Sequence, residues 1–405
     1  MPSKQIPVYE LHVGMYVAKL DLSWLRSPFL RHSFLVEEPA QIERLVRAGV
    51  KTVYIDPDRG RDLNGAPLVE PASDDGSSPT PVVPPSVEGR KSLAQLNEEY
   101  AQAKLARAQL EQAVHSIFAA VRQHGTITRV QTTEAIQEIM IAARTLPNSA
   151  ILMALSQHRA GDSSLSRHAL TTCTLSLMLG QAVQLNPLEL HELATAGLLH
   201  DIGLLQLPPA IVRRSHVTSS PLSEADRRRF QTHPRQSILM LERRGGFETP
   251  VLHMIGEHHA YLDGSGYPPE TRGEFTSIRT RILMITDRYD ELITGFGGAS
   301  PLAPHQALQR LYQEAQDGLL DQDVLSRLIK IVGIYPVHSR VRLNTQELAV
   351  VVDLNPTALH QPVVAITHDT SGAGYSTPLV VDLAHQEGQP QTRSIETVLE
   401  PSRAA

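Results

Sequence analysis

Most of the sequence between residues 92 and 340 carries apolar residues at the three- and four-residue spacing of amphipathic helices. The longest of these patterns runs from Leu96 to Val121. Later segments begin with capping signals, of which Asn186 followed by Pro187 is the clearest. It predicts a helix over residues 187–203, and a further helix is predicted to start near Ser223 and to end at His233. A helical pattern this long predicts a mainly α protein whose core is a bundle of helices.

The segments on either side of this helical region have different patterns. Residues 1–56 combine short β-like runs with one helix and predict a small α/β module. Residues 57–91 hold seven prolines among Ser, Gly and Asp, which predicts a linker. Residues 341–400 contain short β-rich runs separated by Asn, Pro, Gly and Ser, so we expect a small C-terminal β appendage.

Composition and charge limit the function of such a chain. The formal net charge of −6 over 405 residues argues against a protein that coats DNA. The single cysteine, Cys173, excludes an intrachain disulfide and favours a reducing compartment. Neither a signal peptide nor an uncharged apolar run long enough for a membrane span is evident, so we expect a cytoplasmic protein.

Five predicted helices each carry an imidazole or a carboxylate on an apolar face. These residues are His168, His200, Asp201, His233, His258, His259 and Asp287. A lone histidine on such a face is usually a hydrogen-bonded core residue, but buried charges need an opposite charge or a metal ion. Imidazole and carboxylate without thiolate favour Fe, Mn, Zn, Co or Ni over a structural zinc site. Seven such groups exceed the usual ligands of one ion, so they predict a two-metal site, which suits phosphodiester hydrolysis.

The segment DGSGYP, residues 263–268, directly follows two of these histidines. Asp263 and Gly266 predict a tight turn that Tyr267 helps to stiffen. The same letters are compatible with an ordinary surface loop. Their position after two candidate ligands favours a rim that shapes a binding pocket.

The ordered motifs HDIG at 200–203, HH at 258–259 and DGSGYP at 263–268, followed by Asp287, resemble the HD-GYP phosphodiesterases. These are a bacterial branch of the HD metal-dependent phosphohydrolases that open cyclic di-GMP. The similarity runs from about residue 160 to 335, and residues 6–36 also resemble an accessory domain that often precedes such modules. The resemblance implies an HD-type helical bundle that hydrolyses cyclic di-GMP to linear pGpG and, in some members, to GMP.

Transferred position by position, the resemblance makes all seven of these histidines and aspartates metal ligands. It implies that Asp201 bridges two divalent ions, Fe, Mn or similar, and that a hydroxide shared by the ions is the nucleophile. His200 and Asp201 would be the catalytic pair. Asp263, Gly266 and Tyr267 would contact the substrate.

The sequence departs from the family at positions that bear on activity. Leu204 replaces a lysine that faces the substrate phosphate, and Ala260 replaces the usual Glu after the two histidines. Ser164 replaces a Glu that holds a third metal in some members, so we expect two metals. Arg214 and Arg281 are our candidates for the missing cation; for each of them a solvated surface position is the alternative.

Two interpretations of the function remain open at this point. The first is an active cyclic di-GMP phosphodiesterase. The second is a signalling module that binds cyclic di-GMP, or partner proteins through the GYP loop, with weak or no hydrolysis, which Leu204 and Ala260 favour. An HD hydrolase of another nucleotide is a third interpretation, against which the GYP loop argues. The long helix at residues 93–121 also suggests a homodimer.

Overall fold

The computed structural model describes residues 4–20, 34–47, 50–61, 91–125, 127–146, 148–155, 164–214, 222–243, 246–269, 271, 276–296, 300–386 and 391–399. The chain divides into two compact units, Met1–Ser92 and Leu93–Ala405. Among the described residues, no helix is both long and apolar enough to cross a membrane. The predicted linker lies largely outside this description.

The first unit is the predicted α/β module. Its antiparallel sheet has the strand order β1-β4-β2-β3. Along the chain, one helix lies between β3 and β4. The elements are β1 Lys4–Pro7, β2 Tyr16–Leu20, β3 Phe34–Leu35, α1 Pro39–Arg47 and β4 Thr52–Ile55. Val17 and Val53 are fully buried because alternate strand residues face one core, which also includes Leu45 of the helix.

The second unit is a bundle of helices, which confirms the prediction of a mainly α protein. The helices are α2 Leu93–His124, α3 Arg129–Thr145, α4 Asn148–Leu155, α5 Leu165–Ala182, α6 Pro187–Leu199, α7 Pro209–Arg214, α8 Glu224–Phe230, α9 His233–Glu242, α10 Thr249–Glu257, α11 Ile278–Thr294, α12 Pro304–Gln316 and α13 Gln322–Val332. Helix α5 lies at the centre, buried on all sides from His168 to Gly180, and packs against α6, α11 and α2.

Local signals explain where several of these helices begin. The side chain of Asn186 accepts hydrogen bonds from the amides of Leu188 and Glu189, at 3.0 and 3.1 Å. Glu189 returns a bond by accepting from the amide of Asn186 at 3.0 Å, which completes a capping box. The predicted start of α6 is therefore confirmed. Helix α2 also matches its predicted position and extends three residues beyond it, to His124.

Two helix boundaries differ from the sequence prediction. Helix α6 ends at Leu199, and a 3₁₀ turn, Ile202–Gln206, follows where we expected the helix to continue to residue 203. The hydroxyl of Ser237 on α9 accepts from the Gly203 amide at 2.8 Å and donates to the His200 carbonyl at 2.7 Å. These tertiary bonds replace the helical ones. His233 begins α9, whereas we expected it to end the preceding helix.

A five-stranded antiparallel sheet completes the second unit and confirms the expected β appendage. Its order is β8-β7-β6-β5-β9. The strands are β5 Arg340–Leu343, β6 Leu348–Asp353, β7 Val363–His368, β8 Gly374–Asp382 and β9 Ile395–Leu399. Val352 and Ala365 of this sheet pack against Leu96 at the start of α2. The finer division of the second unit into domains stays a prediction.

Candidate metal centre

The structure brings all seven predicted metal ligands into one cluster, at the point where five elements meet. They are His168 on α5, His200 and Asp201 at the end of α6, His233 at the start of α9, His258 and His259 after α10, and Asp287 within α11. All are buried except His259, which is partly exposed. Two overlapping groups have ligand atoms within 4.8 Å of one another and share Asp201.

The carboxylate of Asp201 faces a different pair of imidazoles with each oxygen. Its Oδ1 lies 2.9 Å from Nε2 of His233 and 3.7 Å from Nε2 of His258. Its Oδ2 lies 3.6 Å from Nε2 of His168 and 3.7 Å from Nε2 of His200. A carboxylate that bridges two ions needs this placement, with one oxygen toward each ion.

Asp287 contacts the cluster with both of its carboxylate oxygens. Its Oδ1 lies 3.0 Å from Nε2 of His168 and 3.3 Å from Nε2 of His200. Its Oδ2 lies 3.7 Å from Nδ1 of His259. Both aspartates therefore lie close to the same pair of histidines.

The spacing of these atoms fits divalent ions. Two ligand atoms that are each about 2.1 Å from one ion, at tetrahedral or right angles, are about 3.0–3.4 Å apart. Nε2 of His168 lies 3.1 Å from Nε2 of His200, and Nε2 of His233 lies 3.3 Å from that of His258. Moreover, Oδ1 of Asp201 is buried without a hydrogen bond of good geometry to any described residue. Such an atom is costly to bury unless a cation binds it.

In four of the five imidazoles, the ring nitrogen that faces away from the centre lies at hydrogen-bonding distance from an acceptor that fixes the ring. Nδ1 of His200, His233 and His258 each lies within hydrogen-bonding distance of the carbonyl three residues earlier, at 2.9, 2.9 and 2.7 Å. His168 lies within α5 and instead places Nδ1 2.7 Å from Oδ2 of Asp290. With the proton on Nδ1, the lone pair of Nε2 faces the centre, as metal ligation requires.

Electrostatic interactions within the cluster strongly change the pKa values of its two aspartates. Burial alone would raise the pKa of Asp201, but the neighbouring His200 and His233 hold it well below its usual range. Burial also opposes ionisation of Asp287, yet hydrogen bonds with His168 and His200 hold its pKa well below the usual range. Both carboxylates are therefore ionised, which is the form that binds cations.

Four histidines of the cluster fall into two classes by the direction in which their pKa is displaced. Burial lowers the pKa of His258, and burial together with the charge of His258 lowers the pKa of His259 further. His168 and His200 behave oppositely, because the adjacent aspartates outweigh burial and raise the pKa of both imidazoles. A cation thus already has a favourable electrostatic environment between the two aspartates.

Sequence reasoning missed two acidic residues of the site. Asp290 holds His168, and Glu291 lies with His259 and Asp287 in a further group of ligand atoms within 4.8 Å. Burial, followed by the charge of Asp287, raises the pKa of Glu291 to about 8. Both residues follow Asp287 by three and four positions, so a helical projection of α11 would have placed them on its face.

The GYP loop contacts the cluster through His259. The amide of Tyr267 donates to the His259 carbonyl at 3.1 Å, and the Tyr267 ring lies 4.5 Å from the His259 ring. A Cβ on Gly266 would collide with that same carbonyl, so only glycine allows this close approach. Asp263 is exposed and accepts from the Ser265 amide at 2.8 Å, which closes the turn. The Tyr267–Pro268 peptide bond is cis.

Of the two candidate cations in the sequence prediction, Arg281 has a described side chain. It donates to Asp321, the N-cap residue of α13, at 2.9 Å, and it is not among the clustered residues. Its phosphate contact stays a prediction, and a phosphate would compete with Asp321 for the guanidinium. Arg214 is the last residue of α7, and its side chain lies outside the described part of the chain.

Leu204 is one of a small group of buried apolar residues beside the centre. It is 2% exposed and belongs to a cluster with Ile211, Phe230 and Phe296. Phe296 in turn stacks on the ring of His168, with centroids 4.2 Å apart. Ala260 is also buried. Neither position supplies a charge to the site.

Comparison with known proteins gives two matching family models. An HD domain matches residues 149–324, and a domain of unknown function, DUF3391, matches residues 3–132. The second match extends over helix α2, well beyond the module expected at residues 1–56.

Curated relatives named as cyclic dinucleotide phosphodiesterases align with different shares of the chain. The cyclic di-GMP phosphodiesterase PA4108 of Pseudomonas aeruginosa is 30% identical over 90% of this chain and 84% of its own length. The cyclic di-GMP phosphodiesterase PdeB of Borreliella burgdorferi is 25% identical over 49% of this chain and 50% of its own. The 3′3′-cGAMP-specific phosphodiesterase 3 of Vibrio cholerae is 32% identical over 36% of this chain and 30% of its own.

A solved structure is also similar. The protein Bd1817 of Bdellovibrio bacteriovorus, described as an HDG"Y"P protein, aligns with a TM-score of 0.47 and 17% identity. The alignment covers 81% of this chain and 99% of the other.

Proposed function

We propose that this chain, which belongs to the HD-GYP family of cyclic di-GMP phosphodiesterases, hydrolyses cyclic di-GMP to linear pGpG. The alignment with the cyclic di-GMP phosphodiesterase PA4108 covers 90% of this chain. The match to the HD domain includes all seven clustered residues. Hydrolysis of pGpG on to GMP is a second step that the same site would catalyse if the linear product can rebind.

The position of Asp201 carries this proposal. Its two oxygens face two separate groups of imidazoles, and Oδ1 lacks a hydrogen bond among the described residues despite its burial. This arrangement supports two divalent ions, with His168, His200 and Asp287 on one side and His233, His258 and His259 on the other. We propose Fe or Mn as the ions, since the ligands are imidazole and carboxylate without thiolate.

The protein's own groups then have distinct tasks. When bound, the two ions would activate a water molecule and neutralise the phosphodiester. The ionised Asp201 and Asp287 would hold the cations, and the carbonyl-bound Nδ1 atoms of His200, His233 and His258 direct their Nε2 atoms into the cluster. Tyr267 covers one side of the cluster through its contact with His259. We propose that the GYP loop also borders the bound nucleotide.

Two alternatives are favoured by specific observations. The similarity to a 3′3′-cGAMP-specific enzyme favours a mixed cyclic dinucleotide as substrate. The uncharged Leu204 and Ala260 favour a module that binds cyclic di-GMP with little hydrolysis. A cytoplasmic location, a homodimer and protein partners at the GYP loop stay predictions.

Comparing both substrates distinguishes these alternatives. The protein loaded with Mn or Fe(II) is incubated with equal concentrations of cyclic di-GMP and 3′3′-cGAMP, and the products are separated by chromatography. We expect cyclic di-GMP to be consumed with the larger kcat/KM. A larger kcat/KM for 3′3′-cGAMP would assign the mixed substrate, and binding without consumption of either would assign the signalling module.

A further inference from the structure

A large cavity is lined jointly by the HD domain and helix α2, and chain segments beside the candidate metal ligands form part of its wall. Its volume is about 690 Å³, which is within the range of ligand pockets. One wall is formed by Ser164, Leu165 and Ser166, in and just before the first turn of α5. His168 follows on the same helix face as Ser164, one turn later.

A second wall of the cavity comes from the turn that follows the HD pair. Leu204 and Leu205 line it, and the amide of Leu204 donates to the carbonyl of Asp201 at 3.0 Å. The cavity is therefore one turn of chain away from metal ligands on both walls. Leu204 is also the position at which the family carries its phosphate-facing lysine.

The third wall is the last part of α2, which packs against this same turn. Arg122 and Phe118 line the cavity from there. Arg122 is exposed and has no hydrogen-bond or ion-pair partner among the described residues. No acidic side chain is among the described residues that line the cavity. An unneutralised guanidinium facing such a pocket favours an anion, because it presents a planar fork of donors to phosphate.

We propose that this cavity receives the half of the cyclic dinucleotide that is not being cleaved, with Arg122 binding its phosphate. This inference rests on the proposed function. Arg122 then replaces, from the opposite wall, the cation that Leu204 lacks. The apolar side of the cavity, with Phe118 and Leu204, accepts the purine. Since α2 lies within the match to the domain of unknown function, that region supplies part of the substrate site.

The inference is tested by comparing two substrates of different size. Arg122→Ala, Arg122→Lys and the control Lys104→Ala, an exposed cation earlier on α2, are assayed with Mn. The substrates are cyclic di-GMP and bis(p-nitrophenyl) phosphate, which is too small to span the centre and the cavity. Loss of a charge-assisted contact corresponds to about a 10- to 100-fold effect.

We expect Arg122→Ala to raise KM for cyclic di-GMP by this factor. Any rise in KM for the small diester should be at least tenfold smaller. Arg122→Lys should lose less, and Lys104→Ala should match the wild type. An unchanged KM in Arg122→Ala, or equal losses on both substrates, would overturn the inference while leaving the proposed function intact. If the wild type hydrolyses only the small diester, the proposed function fails and the inference fails with it.

Discussion

The carboxylate of Asp290 lies 2.7 Å from Nδ1 of His168, and both groups are buried. His168 differs in this from His200, His233 and His258, whose Nδ1 atoms face carbonyls of their own chain segment. The reason is positional, because His168 lies within a helix where such carbonyls are already bonded. Its orientation therefore depends on a second helix, α11.

Replacing Asp290 should weaken metal binding without removing a ligand. Asp290→Asn keeps an acceptor near Nδ1 but loses the negative charge that makes the imidazole a stronger base. We expect affinity for Mn to fall about 10- to 100-fold. Titration with Mn, followed by activity on the small diester, measures it. Asp317→Asn, an exposed aspartate, is the matched control. An unchanged affinity in Asp290→Asn would show that ring orientation alone suffices.

The contact between the GYP loop and His259 predicts that no side chain larger than that of glycine is tolerated at Gly266. A methyl group there would push on the His259 carbonyl, so Gly266→Ala should move the His259 ring. We expect turnover to fall by about tenfold or more, since misplacement of catalytic groups by about 1 Å is that costly. Ser265→Ala, in the same loop, should stay within about twofold of the wild type. Equal rates for the two variants would mean that the loop adapts.

Restoring the family lysine at Leu204 should not restore a better enzyme. Leu204 borders the cavity opposite Arg122, but its side chain is 2% exposed and packs among Ile211, Phe230 and Phe296. Leu204→Lys would therefore place an ammonium in an apolar cluster, on the cavity wall that faces another cation. An uncompensated buried charge costs about 3–5 kcal/mol. We expect a clear drop in thermal unfolding temperature and no gain in kcat/KM, whereas Leu204→Met should keep both. A tenfold gain with unchanged stability would show that the lysine reaches the substrate.

Acid should loosen the C-terminal sheet through Glu347. Its carboxylate accepts two hydrogen bonds from Arg393, at 2.6 and 3.0 Å, and these lower the pKa of Glu347 from its ordinary value of 4.5. Because the folded pKa is the lower one, the stabilisation is present above pH 4.5 and is lost as the pH falls through the folded value. Hydrogen exchange of β5 and β9 should therefore accelerate in that range.

The matched variants separate this pair from general acid effects. Glu347→Gln should exchange faster at neutral pH and lose most of the extra acid sensitivity. Glu396→Gln, an exposed glutamate in the same sheet, should behave as the wild type. An identical pH profile in Glu347→Gln and wild type would contradict the role of this ion pair.

The order of motifs along the sequence was enough to predict which seven histidines and aspartates the structure brings together, because they lie on or directly beside helices whose apolar period is clear. Their role as metal ligands stays a prediction. Features that depend on contacts between distant helices were not predicted. Helix α6 ends early because Ser237, from another helix, bonds to His200 and Gly203. The ion pair of Arg281 with Asp321 was not predicted either, because Asp321 belongs to the cap of a helix 40 residues away along the chain.

For the same reason the sequence did not point to Arg122, the cation of the proposed substrate site. Arg122 lies far upstream of the HD motifs, on a helix that the sequence only indicated as amphipathic. Its relation to Leu204 comes from the packing of α2 against the 3₁₀ turn. No pattern along the chain connects these two positions.

Formation of linear pGpG from cyclic di-GMP is the most direct test of the account. The protein is loaded with Mn or Fe(II), and the products are resolved by chromatography, with the His200→Ala plus Asp201→Ala double variant in parallel. The account predicts pGpG from the wild type and none from the double variant. Absence of pGpG with every metal tried, or equal product from the double variant, would contradict it.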